Sequence, residues 1–130
     1  MKKFGFDTCI VLRLLVGEPL DQAERAFLFL EKCDAAGDIV YVSDLVAAET
    51  YHALCHHYEV PFKEAVEKLT EFLASPMITP SGYALTVLKE YRCSGAGLVD
   101  RFIRIDLLDH AHEIITFDKQ FAKLSNVSNI

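Results

Sequence analysis

Residues 112–124 read HEIITFDKQFAKL: two isoleucines, Thr116 and Phe117, then a carboxylate at Asp118, then a lysine-bearing amphipathic stretch. Residues 1–10, MKKFGFDTCI, follow the same plan, a short apolar run that stops at Asp7. Each run is rich in residues suited to a strand, and each acid stands where the strand gives way to a helical pattern. A strand–acid–helix order at both ends of a chain places two carboxylates at the carboxyl ends of strands. In open α/β sheets that edge is where ligands bind.

The segments between these ends alternate in the same sense. Residues 3–6 are expected as a strand and TCIVLRLLV as a buried helix ending at Gly17. Pro19 can then open a helix at its first position, running through DQAERAFLFLEKC to Gly37. DIVYVS, bounded by Gly37 and Ser43, reads as a strand. Ser43 is a candidate cap for the helix DLVAAETYHALCHHY. Pro61 starts PFKEAVEKLTEFLAS, with Val66, Leu69, Phe72 and Leu73 at helical spacing. MIT is a short strand, followed by helices over residues 81–92 and 98–112. EIITF is a strand, and a short helix and an edge strand close the chain. Strands alternating with helices predict an α/β sandwich on a mostly parallel sheet.

Asp7 and Asp118 would both project from the carboxyl edge of that sheet. Were their strands neighbours, roughly 4.8 Å apart, the two carboxylates would face one another. Each acid can also serve simply as the cap of the helix that follows it. Two further acids sit among apolar residues. Asp100 shares a helical stripe with Ile103, Leu107 and Ala111, with Arg104, four residues on, as an ordinary partner. Glu49 lies mid-helix in DLVAAETYHAL, a helix expected to be buried nearly all round. Ionised groups in such places are costly unless paired or metal-bound. Two carboxylates about 5 Å apart repel by roughly 3 kcal/mol at an effective dielectric near 20. Four converging acids would therefore call for a cation, and hard oxygen ligands select Mg²⁺ or Mn²⁺. Such an ion suits phosphodiester hydrolysis.

Composition narrows the classes. The 130 residues, 52% hydrophobic and 25% charged, exclude a disordered chain and suit one domain with a real core. The longest apolar run, CIVLRLLV, is broken by Arg13 and too short for a membrane span. MKKFGFD has no signal-peptide core behind it, and the four cysteines, scattered without a C-x-x-C pair, fit reduced thiols, so a cytoplasmic protein is expected. The net charge of −6, from 13 Lys and Arg against 19 Asp and Glu, argues against broad non-specific nucleic-acid binding and leaves room for a local basic rim.

Taken in order, FDT near the start, SDLVAAETYHAL after the second strand, LVDRFI late and TFDK eighteen residues on resemble the PIN-domain ribonucleases. More particularly they resemble the VapC-like toxins of toxin–antitoxin pairs, across essentially the whole chain. The resemblance implies a single nuclease domain over residues 1–130, a three-layer α/β/α sandwich around a mostly parallel sheet, with Asp7, Glu49, Asp100 and Asp118 binding Mg²⁺ or Mn²⁺. Thr116 matches the position whose hydroxyl supports that site. Cys9 departs from the family, where Asn is commoner after the Asp-Thr pair. The implied reaction is hydrolysis of an RNA phosphate to a 5′-phosphate and a 3′-hydroxyl. In it, Asp7, Asp100 and Asp118 hold the metal, and Glu49 acts as ligand or general base. Arg13, Arg101, Arg104, Lys119 and Lys123 lie near these acids in sequence and are candidates for the RNA-binding rim. The resemblance also implies a homodimer and a small antitoxin partner, with no membrane role.

Two other readings remain. A PIN-like fold can be an inactive binding or interaction module, since fold alone does not decide activity. Glu49, His52 and His56 share one helical stripe, and Asp109 with His112 repeats the acid-x-x-His spacing, which would suit zinc or iron. Ala53 stands where a zinc protease needs its glutamate, so that motif fails.

Overall fold

The computed structural model describes residues 1–130. Its first half runs β1 (Lys3–Gly5), α1 (Thr8–Val16), α2 (Leu20–Ala36), β2 (Ile39–Val42), α3 (Asp44–His56) and α4 (Phe62–Ala74). The second half adds β3 (Thr79–Pro80), α5 (Ala84–Glu90), α6 (Leu98–Leu107), β4 (Ile114–Thr116), a 3₁₀ turn (Phe121–Lys123) and β5 (Val127–Asn129). This is an α/β architecture of the expected PIN-like class, with every strand pair parallel.

Local chemistry sets most helix ends. Asp7 starts α1 by accepting the N–H of Ile10 at 3.1 Å. Ser43 starts α3 by accepting that of Val46 at 3.2 Å. Both supply an oxygen to an otherwise unpaired first-turn donor. Gly17 and Gly37 close α1 and α2 with φ of 81° and 72°, a left-handed conformation that costs glycine nothing. Pro19 and Pro61 sit in the capping position, one residue before the first helical turn.

Two boundaries are set from a distance. The start of α5 is capped by Asp44 of α3, whose two carboxylate oxygens accept the N–H groups of Tyr83 (3.1 Å) and Ala84 (2.8 Å). A side chain at Gly82 would place its Cβ 2.5 Å from that carboxylate, so the close approach requires glycine. Helix α5 therefore begins at Ala84, three residues later than the expected 81. Helix α6 stops at Leu107, not at 112, because the Leu107 carbonyl takes the N–H groups of both His110 and Ala111 in a turn. That turn sets Leu108 against a small core formed by Ile114, Phe121 and Val127.

Strand order in the main sheet is β1-β2-β3, with Phe4 opposite Val40 and Gly5 opposite Tyr41. Phe6 extends the ladder by donating its N–H to the Tyr41 carbonyl. Alternation sends Phe6, Val40 and Val42 into the core while Lys3, Gly5 and Thr79 remain exposed. The principal core joins these residues to Val11, Leu30, Ala47, Leu69, Leu73, Leu88, Leu98 and Phe102, so every helix contributes to it. β4 and β5 pair only with each other, as a separate two-stranded unit over its own small core. β1 and β4 are thus not hydrogen-bonded neighbours, and strand pairing does not by itself set Asp7 against Asp118.

Candidate active site

Asp7 follows β1 at the mouth of α1, exposed, with Oδ1 used by the Ile10 N–H. Thr8, the next residue, donates its hydroxyl to Oε1 of Glu49 at 3.1 Å. That bond spans 41 residues and pins Glu49 of α3 beside the N-terminus of α1, whose unpaired N–H groups favour negative charge. Glu49 itself is exposed, contrary to the expectation of a helix buried all round. The buried stripe of α3 is Ala47, Thr50 and Leu54, and Leu45, His52 and His56 share the solvent side with Glu49.

The second pair lies across the chain. Asp118 follows β4 and is held by a tight turn: Oδ1 accepts the N–H groups of Gln120 (2.8 Å) and Phe121 (3.1 Å). Its own N–H donates to the Thr116 hydroxyl at 2.9 Å, so Thr116 fixes the direction in which Asp118 leaves the strand. Asp100 is half-buried in the first turn of α6. Burial first, and the charge of Asp118 second, push its carboxyl above the usual aspartate range. The place of Asp100 in the first turn of a helix acts in the opposite direction. The reason for its burial differs from the expected stripe. Ile103 and Leu107 are 42% and 39% exposed, and α6 packs through Leu98 and Phe102 instead.

The four acids thus stand as two linked pairs, Asp7 with Glu49 through Thr8, and Asp100 with Asp118. No three His, Cys, Asp or Glu side chains meet closely enough to enclose one ion. Both strand-end aspartates cap the structure that follows them with Oδ1, and neither Oδ2 has a hydrogen-bond partner.

A family model described as the PIN domain matches residues 6–127. The chain belongs to the PIN-domain family. No curated protein matches it. PIN domains are generally nucleases, which supports a hydrolase acting on nucleic acid, and they typically use divalent metals. In this PIN domain the donor set is chemically apt for such an ion. It offers hard carboxylate oxygens, two of them free at Asp7 and Asp118, and a like-charge pair at Asp100 and Asp118 that a cation would relieve.

The expected basic rim divides into committed and free side chains. Arg101 donates to the carbonyls of Ala96 (3.0 Å) and Ser94 (3.2 Å) and lies over the Tyr91 ring at 5.2 Å. Arg104 donates to the Ser125 carbonyl (2.7 Å) and hydroxyl (2.6 Å), not to Asp100. Both are occupied in holding loops of the PIN domain. Arg13 is hydrogen-bonded to neutral partners, Gln22 at 2.7 Å and Tyr58 at 3.5 Å. Lys119 and Lys123 are exposed beside the Asp118 turn.

Sequence reasoning passed over Thr8. Its signal was a hydroxyl directly after Asp7 at the first helical position, where the side chain can reach a neighbouring helix. A cavity of about 590 Å³ lies between β1, α1 and α2, lined by Phe4, Cys9, Phe29, Arg13 and Arg25 among others, and none of the four acids borders it. A polar recess of about 530 Å³ sits beyond β2 and β3, between Asp44, Tyr83 and Asp109. No helix of the chain is long and apolar enough to cross a membrane.

Proposed function

We propose that this chain is one metal-dependent endoribonuclease domain, residues 1–130, with Asp7, Glu49, Asp100 and Asp118 as its working carboxylates. The observation that carries the reading is Asp100, half-buried and facing the charge of Asp118, in a family whose members are generally nucleases. Asp7, Asp100 and Asp118 would hold Mg²⁺ or Mn²⁺, with Glu49 as a further ligand or base. When bound, the ion supplies positive charge to the phosphate and makes water a stronger acid. Glu49, with Oε1 occupied by Thr8, has Oε2 left to accept a proton from the attacking water. Thr116 keeps Asp118 aimed while Lys119 and Lys123 draw in the RNA phosphates. Cleavage leaves a 5′-phosphate and a 3′-hydroxyl.

In biological terms the reading is a cytoplasmic toxin of a type II toxin–antitoxin pair, working as a homodimer and restrained by a small antitoxin. Its support is the PIN membership, the aromatic, arginine-rimmed cavity beside α1 and α2, and the exposed Leu20, Phe27 and Leu28 on α2.

Purified protein with a labelled RNA, Mn²⁺ or Mg²⁺, and a chelator control is the decisive assay. Asp100→Asn is expected to lower cleavage at least ~100-fold with an unchanged circular-dichroism spectrum. Undiminished cleavage by that variant would remove Asp100 from the mechanism. One feature favours an inactive binding module instead: the acids stand in pairs and not as a closed cluster. Failure of the unaltered protein to cut any RNA, with or without added ion, would select that second reading.

A further inference from the structure

Helix α3 carries a feature that the carboxylates do not use. His52 and His56 lie one turn apart on its solvent face, both exposed, with ring centroids 4.5 Å apart and planes inclined by 40°. We infer that this pair is a two-point chelate for a borderline transition ion of the Zn²⁺, Ni²⁺ or Cu²⁺ class, separate from the carboxylates and independent of the nuclease reading.

The argument begins with helix geometry. Residues four apart stand above one another on one face, so two imidazoles at that spacing can address the same point in space. The same spacing supplies both histidine ligands in helical zinc motifs. A tetrahedral ion with Zn–N bonds of about 2.0–2.1 Å holds two nitrogens roughly 3.3 Å apart. Two imidazoles on such an ion have ring centroids roughly 5 Å apart, close to the 4.5 Å between His52 and His56. Imidazole nitrogen prefers zinc, copper or nickel, whereas Mg²⁺ and Mn²⁺ prefer carboxylate and water oxygen. The chemistry of the two sites therefore sorts their ions.

Glu49 completes the stripe in sequence, one turn before His52, and the structure excludes it as a third close ligand. Glu49 does not gather with the two imidazoles, and no third acid, cysteine or histidine joins the pair. Water must fill the remaining positions, so affinity should fall well short of a closed four-ligand site, with Kd on the order of 10 µM. The chelate exists only while α3 is helical, so the ion favours the folded chain by mass action. It would staple the last turn of α3, which ends at His56 without a glycine cap.

The test is calorimetric titration of the whole protein with Zn²⁺ in excess Mg²⁺, paired with imidazole ¹⁵N shifts from NMR. The expected result is one site near the stated affinity, with shifts at His52 and His56. Binding should weaken at least about tenfold in His52→Ala and again in His56→Ala. It should persist in His57→Ala, whose ring packs on Tyr58, and in Cys9→Ser, which removes the exposed thiol. Wild-type affinity in His52→Ala, loss of binding in Cys9→Ser, or no imidazole shift at saturating Zn²⁺ would each overturn the assignment.

Discussion

Asp100 stands half-buried beside Asp118, and both circumstances favour its protonated form. A carboxyl whose folded pKa lies above its unfolded value binds its proton more tightly in the folded chain. Its contribution to stability is then fully present below the unfolded value, near 3.8, and is lost as pH rises through the folded value. Asp100→Asn, without added divalent ion, should therefore raise stability at pH 7 relative to pH 4 when both proteins are unfolded in urea. A greater loss in the variant at pH 7 than at pH 4 would contradict the assigned cause. Thr50 gives a second residue-level expectation. It is fully buried, and its hydroxyl has no hydrogen-bond partner. Such a group forfeits its hydration for nothing, so Thr50→Val should raise stability by about 1 kcal/mol. The urea midpoint measures it, and a fall would mean that the hydroxyl has a partner in solution.

Helix α6 shows how a sequence pattern can be right about an element and wrong about its face. Leu98, Phe102 and Ile105 form the inward stripe, with Ile103 and Leu107 turned outward, so the apolar residues near Asp100 did not mark the buried side. Several apolar residues on a short helix permit more than one stripe, and only its packing partners choose. The two arginines of α6 were legible as basic but not as structural. Arg101 closes residues 94–96 onto the helix, and Arg104 ties the helix to the turn before β5. Arg101→Ala should cost about 1–3 kcal/mol and speed amide exchange in residues 94–97. Arg101→Lys should not restore it, because an ammonium lacks the guanidinium fork. Unchanged exchange in the Ala variant would return Arg101 to the pool of RNA-binding candidates.

On the scale of the molecule, a net charge of −6 leaves little long-range attraction for RNA. With Arg101 and Arg104 committed, Arg13, Lys119 and Lys123 remain of the five basic candidates. Three phosphate contacts on a single strand would give a log–log salt slope of roughly −2, at about −0.7 per contact. A slope steeper than about −4 in RNA-binding measurements would require a basic surface outside this set. The sequence by itself determined the alternation of elements and most of their ends. Asp7, Ser43, Gly17 and Gly37 act within a few residues, over distances that local pattern encodes. Tertiary structure alone decided that Thr8 holds Glu49, that Asp44 starts α5, and that β4–β5 stand apart from β1–β3. Each depends on groups some forty residues apart or on which strand edges meet. Hydrophobic periodicity says which side of an element is apolar, and only the closed chain says what it lies against.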